Sequence, residues 1–241
     1  MSDPKILLLQ ARRDDDPMAA HELACFVDRC GLPETHVVPH DLCAGPPTLA
    51  RVREHDGLMV GGSGDYYVSR GNLPYFGPFI DLLREVVELG HPTFASCFGY
   101  QSLVEALGGE IIFDAANTEV GTYPLTLTTE GRADQLFGSL PDRFNAQLGR
   151  KDRAVAHPEG VPNLATSQAS PHQALRIPKK PIWASQFHPE LDRQANEDRY
   201  RHYLSGYAPH RSAGERAAAL ERFGESPEAS GLLRRFVELV F

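Results

Sequence analysis

Three short stretches hold residues able to do chemistry together. PTFASCFGYQSLVEALGG (92–109) is an apolar run, a single cysteine, Cys97, and an amphipathic helical pattern. MVGGSGD (59–65) is a second apolar run that ends in glycines, and PIWASQFHPE (181–190) is a third, closing on His188, Pro189 and Glu190. A thiol reacts as its thiolate, and a helix N-terminus favours an anion through its unpaired N–H groups and dipole. Cys97 lies where such a helix would begin. The strand-to-helix turn this implies is the elbow that serine occupies in G-x-S-x-G, and it needs small residues two before and two after the nucleophile. Ala95 and Gly99 meet that need. The N–H of Phe98 would then face a developing oxyanion, and a second donor could come from Gly61-Gly62, where backbone can approach closely. Taken singly, these stretches allow a plainer reading: a buried core thiol and a flexible GGSG turn.

A thiol nucleophile needs a base, and the base needs an orienting acceptor. The chain has ten histidines, so one alone decides nothing. His188 is distinguished by its place. It closes an apolar strand that Pro189 stops, and Glu190, two residues on, can bond the far ring nitrogen and hold its tautomer. Without the cysteine elbow, the same residues read as a strand-terminal histidine beside a surface carboxylate. His36 and His40 have helix-type metal spacing but lie in a strand pattern, and nothing completes a metal site. His21, His55, His91, His202 and His210 read as surface or capping residues, and His157 and His172 flank prolines in loops. Cys25 and Cys30 fall in the apolar pattern of a helix and read as packing residues; Cys43 receives no role.

The elements that must position these residues alternate in the first half. KILLLQ (5–10), THVVPHDL (35–42), DGLMVGG (56–62) and PTFASC (92–97) read as strands. Helical patterns run up to Gly31, through FGPFIDLLREVVELG (76–90), and through the stretch after Cys97. Such alternation predicts a parallel sheet covered on both faces. Beyond residue 110 the runs are short and β-like, broken by one short helix near 132–138, which predicts a strand-rich layer added to that sheet. Two helical stretches end the chain, one reaching about residue 207 and one beginning near Ser212.

CFGYQ followed about 90 residues later by QFHPE resembles the class I (triad) glutamine amidotransferase domain, whose members include the glutaminase domain of GMP synthetase and free-standing relatives. The resemblance spans most of residues 5–205. DGLMVGGSGD stands at the family's glycine-rich oxyanion loop, and TEVGTYPLTLT resembles its Glu-x-Gly segment after the elbow helix. It implies an α/β, flavodoxin-like fold: an open, mostly parallel sheet with helices on both faces, a strand-rich second layer and a C-terminal helical tail. It divides the chain into an amidotransferase domain, 1–208, and a helical extension, 209–241. It implies hydrolysis of the side-chain amide of L-glutamine through a thioester on Cys97, with His188 as base, Glu190 as its orienter, the N–H groups of Gly62 and Phe98 as oxyanion hole, and Gln101 as a substrate ligand. Three positions depart from the family pattern: Ala95 for glycine, Ser63 for a common proline, and Arg150 for the histidine of His-x-Asp.

Composition bounds the rest. With 241 residues, 41% hydrophobic, the chain can bury a full core without disulfide or metal, and no cofactor is expected. A net charge of −8 argues against a nucleic-acid groove. No apolar run approaches the roughly 18 residues of a membrane span, and MSDPKILLLQ lacks the features of a secretion signal, so a cytoplasmic enzyme is expected. No synthetase domain is legible, so ammonia would need a separate synthetase subunit, or the protein acts alone, and the acceptor is not identified. The alternatives are a hydrolase or transferase acting on other γ-glutamyl compounds, and a non-catalytic regulatory member. The apolar faces of the tail could pack back on the domain or form a homodimer contact.

Overall fold

A computed structural model describes residues 3–204 and 213–241. His210 and the start of the tail near Ser212 lie outside the described residues, as does the end of the helical stretch expected to reach 207. Strand β1 (Ile6–Gln10) leads through α1 (Met18–Cys30) to β2 (Val37–Asp41), and α2 (Leu49–Arg53) leads to β3 (Gly57–Val60). Helix α3 (Phe76–Leu89) precedes β4 (Thr93–Ser96), which passes into α4 (Phe98–Ala106). Strands β5 (Glu110–Phe113) and β6 (Glu119–Leu127) are followed by α5 (Thr129–Ala133). Then come β7 (Arg143–Arg150), β8 (Asp152–Ala156), β9 (Asn163–Thr166), β10 (Ala174–Arg176) and β11 (Ile182–Ser185). Helix α6 (Arg193–His202) follows, and α7 (Ala213–Leu220), α8 (Pro227–Ser230) and α9 (Leu232–Val240) form the tail.

One nine-stranded sheet runs β2-β1-β3-β4-β11-β10-β9-β6-β7. Its pairs are parallel from β2 to β11 and antiparallel beyond. The strand-rich second half is present, and five of its strands continue this same sheet. Among the described residues, β5 and β8 stand apart, as an antiparallel pair. Every residue of β1, β3, β4 and β11 is buried. This is why those strands read as unbroken apolar runs rather than as alternation: helices cover both faces.

The pleat sorts the core. Leu7, Leu9, Leu58 and Val60 pack with Phe79, Leu83, Phe98 and Val104 under α3 and α4. Ile6, Leu8, Met59 and Phe94 face the other way, against Phe26 of α1 and Leu233 and Phe236 of α9. Helix α3 ends as its pattern predicts, at Gly90 with φ 70°. Helix α2 has no counterpart in the sequence reading; at five residues it is too short for a periodic signal, though Thr48 caps it by accepting the Arg51 N–H (3.2 Å). Of the surface or capping roles expected for them, His55 and His91 are buried rather than at the surface, and His55 Nδ1 bonds Arg51 O (3.1 Å) at the end of α2. Each precedes a strand of a neighbouring pair, β3 and β4, so both are enclosed at the same end of the sheet. Among the described residues no helix is long and apolar enough to cross a membrane.

The tail packs back on the domain. Phe236 is fully buried, its ring centroid 5.7 Å from that of Phe94 and 5.9 Å from that of Trp183, both edge-on. Truncating such a residue removes burial and leaves a cavity, so Phe236→Ala is expected to cost about 3–5 kcal/mol of unfolding free energy in denaturant titration. A loss below about 1 kcal/mol, the size of a surface change, would make α9 peripheral to the core.

Candidate active site

The parallel order β3-β4-β11 brings the C-terminal ends of three strands side by side, and each end carries one of the three stretches singled out above. Cys97 follows β4 and caps α4, with φ 50° and ψ −101°. A non-glycine residue held there costs on the order of 1–3 kcal/mol and persists only where its surroundings impose it. Here the Cys97 N–H donates to Ser185 O of β11 (2.8 Å), and the Gly99 N–H donates to Gly61 O (3.1 Å). A Cβ at Gly99 would lie 2.7 Å from Val60 O, so the turn admits only glycine at that position. Ala95 lies within β4 and pairs with Val60 and Ala184, where its methyl group is accommodated. Phe98 opens α4, so its N–H is a first-turn donor that no helical carbonyl can reach.

His188 lies just past β11, buried, its N–H donating to Gln147 O (2.9 Å). Its ring Nδ1–H donates to Glu190 Oε1 (2.6 Å), which leaves Nε2 for Cys97. Burial works against a charged ring, but the carboxylate of Glu190 and the sulfur of Cys97 outweigh it and push the His188 pKa up to about 9. Burial also opposes the charge on Glu190. His188 and then Arg199, whose Nη1 donates to Oε1 (3.0 Å), hold that carboxyl down to about 2. Burial pushes Cys25 and Cys30 up to about 12, which suits packing rather than reaction.

Two expected site residues are placed differently from the expectation. Gly62 does abut the cluster, since a Cβ there would lie 2.8 Å from His188 Cε1 and 3.8 Å from Cys97 Cβ. Its N–H, however, donates to Glu22 Oε1 (3.1 Å) on α1 and is not presented to the thiol as an oxyanion donor. A fully buried carboxylate needs donors, and this N–H is one of them. Gln101 lines a narrow cavity of about 30 Å³ beside Cys97 and Phe98. Its side-chain amide is already engaged: Nε2 donates to Asp152 O (3.0 Å) and to Gln186 Oε1 (3.1 Å). Arg150 lines the same cavity, but its buried guanidinium is paired with Glu119, its register partner on β6. Ser63 also lines the cavity, and its Oγ accepts the Tyr66 N–H (3.0 Å), so the loop has a local turn where proline is common.

The sequence reading missed Glu22, Arg12 and Arg199, which stand behind His188. A signal for Glu22 was available. Glu22, Phe26 and Cys30 follow one another at intervals of four on α1, so a charged residue occupies the apolar stripe. His36 and His40, the weighed metal pair, each bond a backbone carbonyl: Asp3 O for the first and Gly45 O for the second. Among the described residues no group of three or more potential ligands could hold a metal ion.

The family described as Glutamine amidotransferase class-I matches residues 34–202. A protein of Aspergillus fumigatus named GMP synthase [glutamine-hydrolyzing] is 30% identical over 138 residues, 56% of this chain and 24% of its own length. The protein of the same name from Streptococcus pneumoniae is 32% identical over 148 residues, 60% of this chain and 26% of its own. The chain thus spans about a quarter of the length of these relatives. A crystal structure of a glutamine amidotransferase from Thermotoga maritima shares the fold, with a TM-score of 0.73 over 98% of this chain and 97% of that one, at 17% identity.

The two shifted groups make stability depend on pH in opposite directions. His188, raised above its ordinary 6.5, contributes fully below that value and loses its contribution as pH rises through about 9. Glu190, depressed, contributes fully above its ordinary 4.5 and loses its contribution as pH falls towards about 2. Denaturant midpoints should therefore decline between about pH 7 and 9, and decline less in His188→Gln. An equal decline in both proteins would assign that titration to another group.

Proposed function

Since this chain belongs to the class-I glutamine amidotransferase family, we propose that it hydrolyses the side-chain amide of L-glutamine with Cys97 as nucleophile, His188 as base and Glu190 as its orienter. The observation that carries this reading is the His188–Glu190 contact of 2.6 Å, made beside a cysteine held at an elbow by backbone bonds from two neighbouring strand ends. The Cys97 proton is held on His188 Nε2, where the raised pKa favours the imidazolium, and the sulfur attacks the amide carbon. The carbonyl π electrons move to oxygen, and the Phe98 N–H stabilises that charge. The tetrahedral intermediate collapses, the C–N bond breaks, and His188 returns the proton to nitrogen, so that ammonia leaves and a γ-glutamyl thioester remains. Water then attacks the thioester with His188 as base, the C–S bond breaks, and glutamate and the thiol are released. Gln101 lines the cavity through which the glutamine side chain reaches Cys97.

Glu190 keeps the imidazole in one tautomer, Nδ1–H inward and Nε2 outward, and stabilises the imidazolium formed in each half of the cycle. The relatives named GMP synthase [glutamine-hydrolyzing] support a role as an ammonia source. In that role a synthetase takes up the ammonia. Residues 1–208 act as the amidotransferase unit, with 209–241 as its extension, of which the described helix α9 packs on the core.

Glutamate release from L-glutamine tests the reading, with and without a candidate synthetase subunit. Cys97→Ala is expected to lower release by about three orders of magnitude or more, since removing the nucleophile of such a unit disables it as a whole. Release that survives in the alanine protein would remove Cys97 from the reaction, and no release by the wild type under either condition would end the glutaminase reading.

A further inference from the structure

Behind His188 lies a chain of buried charges that the reaction as written does not use. Glu22 is fully buried on α1 and accepts Arg12 Nε (3.0 Å) and Nη2 (2.7 Å), Gln10 Nε2 (3.1 Å) and the Gly62 N–H (3.1 Å). Arg199, buried on α6, gives Nη1 to Glu190 (3.0 Å) and holds Nη2 3.5 Å from Glu22 Oε1. One guanidinium therefore stands between two buried carboxylates. The first orients His188, and the second grips the loop that abuts both His188 and Cys97. The same helix end braces that loop again, because a Cβ at Gly64 would lie 2.2 Å from the Tyr203 ring.

We propose that Arg199 is a positioning residue that couples Glu190 to Glu22, so that the base and the 61–64 loop are set as one unit. The physical case has two parts. Two carboxylates buried this near each other need a shared cation, and breaking a buried pair leaves an uncompensated charge. The planar guanidinium hydrogen-bonds Glu190 through Nη1 and stands at ion-pair distance from Glu22 through Nη2, 3.5 Å away without a hydrogen bond, a spread of charge that a lysine ammonium on its single stem cannot match. Glu190 Oε2 has no hydrogen-bond partner, so the carboxylate's direction rests on Oε1, shared by His188 and Arg199. Without Arg199 the carboxylate can turn from the ring, and Glu22 loses its link to the base.

This inference rests on the glutaminase reading for its kinetic test. Arg199→Met should lower kcat for glutamate release by about ten- to a hundredfold while KM stays within about twofold, because the loss is one of geometry at the reacting groups. In a Glu190→Gln background the same change should cost less than about twofold more, since the partner it acts through is already gone. Arg199→Lys, which keeps the charge but not the fork, should fall between. A merely structural arginine would cost the same factor in both backgrounds, and that result would overturn the proposal. So would wild-type kinetics in Arg199→Lys together with a raised KM alone in Arg199→Met.

A second arm needs no glutamine. Alkylation of Cys97 by iodoacetamide at neutral pH, followed by peptide mapping, should slow by about fivefold or more in Arg199→Met and by less in Arg199→Lys, because the base beside the thiol is no longer held. Rates equal to wild type in both variants would refute the coupling even in a protein that releases no glutamate. Slowed alkylation in a protein inactive on glutamine would keep Arg199 in its role and end the glutaminase reading instead.

Discussion

Strand β11, the last strand in the chain, lies beside β4 in parallel register, with Ser185 opposite Ser96. The site depends on that adjacency. Ser185 O takes the Cys97 N–H, which helps to hold the cysteine at φ 50°. The residues that follow β11 carry His188 and Glu190 to the point where β4 delivers Cys97. On the other side, β3 ends at Gly61, whose carbonyl takes the Gly99 N–H, and so the loop carrying Gly62 is tied to the first turn of α4. In an open α/β sheet the carboxyl ends of the strands form the natural crevice for a reacting group. Here that crevice is made by strands separated by as much as the whole strand-rich second half of the chain.

Electrostatics then sharpen what topology assembles. Glu190 and Glu22 are both buried carboxylates, and a buried charge needs partners. The cations His188, Arg199 and Arg12 compensate them in alternation across the loop after β1, α1, the segment after β11, and α6. Such chains are weak evidence of net stability, but the loss of one member leaves its neighbour exposed to the full desolvation cost. The chain also explains why the Gly62 N–H turns towards α1: it is one of the donors that Glu22 requires. Arg150 follows the same logic, paired with Glu119 across the β6–β7 ladder.

Much of this was legible in the residues. The strands of the parallel half, the glycine stops of α1 and α3, the elbow, and the pairing of His188 with Glu190 two residues away all follow from local pattern or short separation. The histidines show where local reading fails. His55 and His91 look like any polar residue before a strand, yet they are enclosed because β3 and β4 are neighbours. The strand-rich half was recognisable as strands, but only pairing shows that most of them lengthen one sheet while β5 and β8 leave it.

The amino-acid sequence by itself determined the chemistry on offer: one cysteine at a strand-to-helix turn, one histidine stopped by proline and followed by glutamate, glycines where backbones must meet, and enough apolar length to cover a sheet on both faces. Each is a property of residue type or close spacing, which the chain carries whatever its partners. Tertiary structure alone decided which groups meet. It turned the Gly62 N–H to Glu22, engaged the Gln101 amide with Asp152 and Gln186, seated α9 on Trp183 and Phe94, and set Arg199 between two carboxylates. Apart from Arg199 with Glu190, nine positions away, those contacts join residues tens to well over a hundred positions apart. They depend on strand order and on the need of every buried charge for a partner, which no local pattern records.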